Sequence, residues 1–221
     1  MCGRFAIHTS VQEIMRYAKV TGGRVPWQPN YNIAPSQTIP IVLLWEASKQ
    51  ITLAKWGLIP FWAKDRSIGN KLINARAETI DQKPSFKSPF RHKRCLIPAN
   101  GFFEWDKHTK QPYYIKPKHE KLFFFAGLWD TWQGDDESNL ISCTIITTDA
   151  NKPISPYHAR MPVILAPDAL SEWTDTPESN ATKLKKLLIS YPAEEIELYP
   201  VSKMVNSVKN NSPELIQPLS A

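Results

Sequence analysis

Arg94-Cys95-Leu96-Ile97-Pro98-Ala99-Asn100-Gly101-Phe102-Phe103-Glu104-Trp105 is the stretch from which the rest of the chain is read. Its apolar and aromatic runs predict two strands, Cys95 to Ile97 and Phe102 to Trp105. The second places a carboxylate, Glu104, between large aromatics. Burial of that kind raises a carboxyl pKa and suits the group to proton transfer. A buried glutamate paired with an arginine explains the same letters. Downstream, further strands are predicted at Tyr113 to Lys116, Leu122 to Leu128, Ser142 to Thr147, Met161 to Leu165 and Ile196 to Val201, followed by a polar tail. Upstream, Ile39 to Trp45 and Ile51 to Trp56 read as a hairpin with Ala47 to Gln50 as its turn, and Arg4 to His8 as a short strand.

Helical signals are few. Ser10 and Glu13 form a capping box before Val11, Ile14, Met15 and Ala18, with Gly22-Gly23 as the stop. A short helix is expected within the basic segment Lys83 to Arg94. One more begins at Pro167 and carries Leu170 and Trp173, and another uses Leu184, Leu187 and Leu188. Prolines 26, 29 and 35 mark an extended loop through Tyr31 to Ala34, and Gly57 to Trp62 an aromatic-rich loop. Asp135-Asp136-Glu137 reads as a solvated acidic turn. With nineteen prolines against eight glycines and no repeat or linker in 221 residues, the chain reads as one α+β domain. Its core is strand-dominated and its helices peripheral.

Composition narrows the function. The formal charge of +6 points weakly to a polyanionic partner. Three cysteines argue against a disulfide framework and for a reducing compartment. Cys95 and Cys143 read as buried, inert thiols. No run reaches transmembrane length and no signal-peptide core precedes the strands, so a soluble, intracellular protein is expected. Neither Cys-x-x-Cys nor His-Glu-x-x-His appears, and nucleotide-binding glycine motifs are missing. No metal or cofactor is expected.

Four stretches carry chemistry. Met1-Cys2-Gly3-Arg4-Phe5 offers a small second residue, so aminopeptidase removal of Met1 leaves Cys2 with a free α-amine and a thiol on adjacent carbons. Such an aminothiol condenses with an aldehyde to an imine and then closes to a thiazolidine. The α-amine, with a pKa of about 7.7–8.0, is far more often neutral near neutrality than lysine. Asn74, Arg76 and Glu78 alternate with two alanines, so a strand would turn all three to one face. The loop Asp149 to Arg160 carries His158, the strongest candidate among five histidines for acid–base work. Finally, Lys83, Lys87, Arg91, Lys93 and Arg94 interleave with Phe86 and Phe90. That is either a groove for single-stranded nucleic acid or a solvated helix face with a buried phenylalanine edge.

Taken together these stretches resemble the SOS-response-associated peptidase (SRAP) family of abasic-site processing proteins, over nearly the whole chain. The resemblance rests on Met1 to Phe5, Asn74 to Thr79, Arg94 to Trp105 and His158-Ala159-Arg160-Met161-Pro162-Val163-Ile164-Leu165. Phe103 departs from the pattern, where tyrosine is expected. The resemblance implies a single SRAP-like domain over residues 1–221 with a barrel-like mixed sheet. It implies a monomer, cytoplasmic and associated with the nucleoid during DNA damage, whose partner is single-stranded DNA containing abasic sites. It implies site residues Cys2, Asn74, Glu104 and His158, with Arg4, Arg76, Trp105 and Arg160 contacting DNA, and a thiazolidine crosslink, lyase action or autopeptidase action as outcomes. Only Met1 precedes Cys2, so self-cleavage would release one residue. Three rivals use the same letters: a thiol peptidase of Cys2, His158 and Asn74; an N-terminal-nucleophile amidotransferase; and a non-covalent single-strand binder.

Overall fold

The computed structural model describes residues 2–134 and 139–219. In chain order its elements are β1 (Phe5–Ile7), α1 (Val11–Tyr17), β2 (Asn30–Ile33), β3 (Thr38–Trp45), β4 (Ser48–Trp56), β5 (Asn74–Arg76), α2 (Pro84–His92), β6 (Arg94–Ala99), β7 (Gly101–Trp105), β8 (Pro112–Pro117), β9 (Phe123–Gln133), β10 (Asn139–Asp149), β11 (Arg160–Pro162), β12 (Ile164–Leu165), α3 (Ala169–Asp175) and β13 (Ile196–Pro200). Short 3₁₀ turns fill several connections.

β10 pairs with β4, β4 with β3, β3 with β6, β6 with β9, and β9 returns to β10. That ring closes a five-stranded barrel, antiparallel except for the β10–β4 seam, so none of the five is left as an open edge along its whole length. β5 and β11 extend β10 beyond the ring, and β12 extends β9. A second, antiparallel sheet runs β13-β8-β7-β1-β2. The fold is α+β with a barrel-like mixed sheet at its centre, as expected.

The stretch Arg94 to Trp105 joins the two sheets. β6 lies wholly buried in the barrel, and β7 pairs with β1 and β8 in the second sheet. The crossing is fixed by Asn100, 2 % exposed. Its Oδ1 accepts from the amides of His8 (2.7 Å) and Thr9 (3.2 Å), and its Nδ2 donates to Thr9 Oγ1 and the Lys121 carbonyl. At Gly101 a Cβ would stand 2.1 Å from the Tyr114 ring, so the backbone passes this close only because no side chain intervenes. Phe5, Trp56, Phe102 and Phe125 fill the interface between sheets, with edge-on ring contacts of 5.0–6.0 Å.

Several expectations are corrected. Tyr31 to Ile33 belongs to strand β2 rather than a loop, because β1 supplies the pairing that its flanking prolines hid. The β3–β4 turn is Glu46-Ala47, both at positive φ (46° and 63°), instead of Ala47 to Gln50. This is the primed geometry that matches strand twist, here without its usual Asn-Gly letters. Helix α1 stops at Tyr17, well before Gly22-Gly23. Leu184 and Leu187 lie in a 3₁₀ run, residues 178–187, whose first half holds Ser179, Asn180 and Thr182, side chains that compete for backbone bonds. Glu78 has left the strand that holds Asn74 and Arg76, since a 3₁₀ turn begins at Ala77. The polar tail after Val201 is anchored by two apolar side chains, Val205 and Leu215, both fully buried. The acidic turn at 135–137 lies outside the described residues. No helix among the described residues is long and apolar enough to cross a membrane.

Candidate functional site

Cys2 lies at the N-terminal approach to β1 and is wholly buried. The pairing Phe5↔Phe102, with the Phe103 amide donating to the Arg4 carbonyl at 2.9 Å, runs the terminus beside the end of β7 that carries Glu104. From the barrel side, Asn74 at the start of β5 donates from Nδ2 to the Cys2 carbonyl at 3.0 Å. Its Oδ1 is buried with no hydrogen-bond partner among the described residues, an acceptor left for a bound group. Residues from both sheets thus meet at one terminus.

The electrostatics separate the roles. Burial, reinforced by the negative charge of Glu104, pushes the Cys2 thiol well above its ordinary pKa. Burial likewise raises Glu104, only 6 % exposed, from 4.5 to about 7. A carboxyl half-protonated near neutrality can give or take a proton with little cost. Both buried thiols expected to be inert, Cys95 and Cys143, are fully covered in the barrel with raised pKa values.

His158 approaches from the loop before β11. Glu104 pairs across β7–β8 with Tyr113, whose ring packs against Tyr157 at 4.5 Å, and this holds the His158 loop beside β7 and β8. The Arg160 amide donates to His158 Nδ1 at 2.8 Å. The same Nδ1 lies 3.1 Å from the Arg160 carbonyl oxygen, so in the neutral ring the tautomer sets whether it accepts from the amide or donates to the carbonyl. Burial lowers the imidazole pKa, which favours that neutral form.

The four residues expected at the DNA differ in their freedom. Arg76 is exposed, two positions along β5 from Asn74 and therefore on the same face. Arg4 is half-buried, bonded to Asn32 Oδ1 and the Val205 carbonyl, and stands over the Trp105 ring at 5.7 Å. Trp105 donates to Asn206 Oδ1 at 2.7 Å. Arg160 is forked onto Glu78 at 2.7 and 3.0 Å and also bonds Asp149 and the Thr147 carbonyl. That fork holds the Glu78 carboxyl below its ordinary range.

The basic run 83–94 does not form an aromatic groove. Phe86 and Phe90 are buried under α2, Arg94 is buried and spent on the carbonyls of Phe90, Arg91, Trp173 and Thr176, and Lys93 pairs with Asp130 at 2.6 Å. The solvated-face reading of those letters is the correct one. Two residues at the site escaped the sequence reading, Asn32 and Asn206. Both contact it only through segments distant in sequence, so no local pattern pointed to them. No cluster of three or more metal-ligating side chains occurs among the described residues.

Residues 1–208 match the family model described as SOS response associated peptidase (SRAP). The abasic site processing protein YoaM of Bacillus subtilis is 45% identical, over 98% of this chain and 97% of its own. The abasic site processing protein HMCES of Xenopus tropicalis is 34% identical, over 97% of this chain and 77% of its own. A crystal structure of a protein from Bacteroides thetaiotaomicron superposes with a TM-score of 0.86 at 28% identity, covering 99% of this chain and all of that one.

Proposed function

Starting from the chain's membership of the SOS response associated peptidase (SRAP) family, shown by the match over residues 1–208, we propose that it processes abasic sites in single-stranded DNA by covalent capture on Cys2. The observation that carries this reading is the convergence of Asn74 and Glu104 on the one residue that can present an aminothiol. Once Met1 is removed, the Cys2 amine attacks the aldehyde carbon of the ring-opened sugar. Loss of water gives an imine, with the proton supplied to the departing oxygen by Glu104 or by His158. The thiol then adds to the imine carbon while its proton passes through Glu104 to the imine nitrogen. One C–N and one C–S bond form, and one water leaves. Asn74 holds the Cys2 carbonyl, and its open Oδ1 offers an acceptor to the new ring N–H.

The thiol's environment supports this over peptidase chemistry. A thiol peptidase needs a stabilised thiolate, whereas burial and Glu104 here keep the thiol protonated until a base takes its proton. Arg76 is the contact best placed to hold phosphate, being exposed beside Asn74.

The test is a denaturing gel of the purified protein with single-stranded DNA carrying one abasic site. Mature protein is expected to give a heat-stable adduct, and intact mass to show Met1 missing. Cys2→Ser should give an adduct only after borohydride reduction, since its amine forms the imine but the hydroxyl closes poorly. A residue added ahead of Cys2 should abolish the adduct. Heat-stable product from either variant without reductant overturns the thiazolidine.

A further inference from the structure

Beyond β13 the chain crosses the second sheet as a strap, and its contacts converge on one buried side chain. Asn32 of β2, 1 % exposed, donates from Nδ2 to the carbonyls of Val205 (3.2 Å), Ser207 (2.9 Å) and Asn210 (2.9 Å). Its Oδ1 accepts from Arg4 Nη1 at 2.7 Å, and the same nitrogen reaches the Val205 carbonyl at 2.7 Å. The guanidinium is therefore gripped between β2 and the strap. Above it lies Trp105, itself tied to the strap through Asn206. Arg4 also holds the terminus directly, because its own carbonyl accepts from the Phe103 amide at 2.9 Å and from the Cys2 thiol at 3.9 Å.

We infer that Asn32 is a positioning residue for the covalent step: acting through Arg4, it fixes the reach and direction of the Cys2 terminus. This rests on the abasic-site reading above. A terminal residue has chain on one side only, so its placement depends on the few side chains that grip its neighbours. Arg4 is two residues away and is locked by its backbone to β7 and by its side chain to Asn32. Misplacing a reacting group by about 1 Å can cost on the order of 10²-fold in rate, so loosening this grip should slow chemistry more than DNA binding.

The experiment measures single-turnover adduct formation with an abasic-site single strand, giving the rate at saturating DNA and the DNA concentration at half that rate. Asn32→Ala is expected to slow the saturated reaction about tenfold, with half-saturation changed less than about twofold. Asn211→Ala removes the strap's bonds to the Tyr31 amide and the Pro29 carbonyl without touching Arg4. It should lower Tm and leave the saturated rate intact. In an Arg4→Ala background Asn32→Ala should slow the reaction no further, because the two act as one unit. Should Asn32→Ala fail to fold, Asn206→Ala at an exposed position frees Trp105 and is expected to slow the saturated reaction about threefold. A wild-type rate in Asn32→Ala, or in Asn206→Ala where that replaces it, overturns the inference. So does an equal loss in Asn211→Ala, or a full additional loss in the Arg4→Ala background. A wild-type protein that forms no adduct overturns the functional reading and this one with it, whereas wild-type adduct matched by Asn32→Ala overturns this one alone.

Discussion

In the proposed mechanism Glu104 is the carboxyl that moves the protons. Replacing it with glutamine keeps the shape but removes the exchangeable proton, so adduct formation should slow by roughly 10²–10⁴-fold with DNA affinity nearly unchanged. A wild-type rate for Glu104→Gln, measured at saturating DNA, would leave the residue a purely structural role. The same group makes a stability prediction. Its folded pKa is raised, from 4.5 to about 7, so the native state holds a proton that the unfolded chain has already released. The associated stability is fully present below about pH 4.5 and is lost as pH climbs through about 7. Denaturant midpoints of the wild type should fall across that window relative to those of Glu104→Gln. His158 shows the limit of reading a residue by type. Its letter identified it as an acid–base candidate, but the contacts of its Nδ1 with the Arg160 amide and carbonyl come only from the fold of the loop.

Strand β7 is the element on which the site depends, since it carries Glu104 and Trp105 and pairs with the β1 strand that delivers Cys2. Its first residue admits no side chain. Gly101→Ala would drive a methyl into the Tyr114 ring, which is 1 % exposed and packed against Phe103 and Tyr199. A loss of about 1–3 kcal/mol is expected from such overpacking, read from a urea midpoint. Between β5 and α2 the contrast is electrostatic. Arg76→Ala should weaken DNA binding and reduce the salt slope by about one ion, while Lys87→Ala on α2 should change neither appreciably. Equal losses from the two would return the DNA path to the basic helix. That helix deceived at the sequence level because alternating cations and phenylalanines serve an amphipathic helix as well as a stacking groove. Phe86 and Phe90 turn inward because the barrel and α3 offer them apolar surface.

For the whole molecule, a net charge of +6 and the proposed capture of an aldehyde on Cys2 lead to one expectation. Adduct formation should be faster on single-stranded or junction DNA than on intact duplex, and the DNA concentration needed should rise with salt. Equal rates on duplex and single strand, measured under one salt condition, would contradict the strand preference. The two-sheet architecture explains why the site has the composition it does. Asn74 comes from the strands added to the barrel, Glu104 and Cys2 from the second sheet, and His158 from the loop that returns to β11. None of these side chains is near another in sequence, and the crossing at Asn100 is one of the links that bring the sheets together.

What the sequence by itself determined was the inventory: most strands, the capped first helix and the single-domain α+β class, while the family resemblance named four candidate residues for the site. These were legible because apolar alternation, capping letters and the aminothiol's chemistry are local properties of a few adjacent residues. The tertiary structure alone decided which inventory items meet and in what state. It made Asn30 to Ile33 a strand, closed β10 onto β9 and β4, turned the phenylalanines of α2 into core, and brought the C-terminal segment onto Asn32 and Arg4. Pairing partners, burial and the hydrogen bonds of a buried amide depend on segments up to about two hundred residues apart in the chain (Arg4 and Val205 among them), and no window of sequence contains both halves of such an interaction.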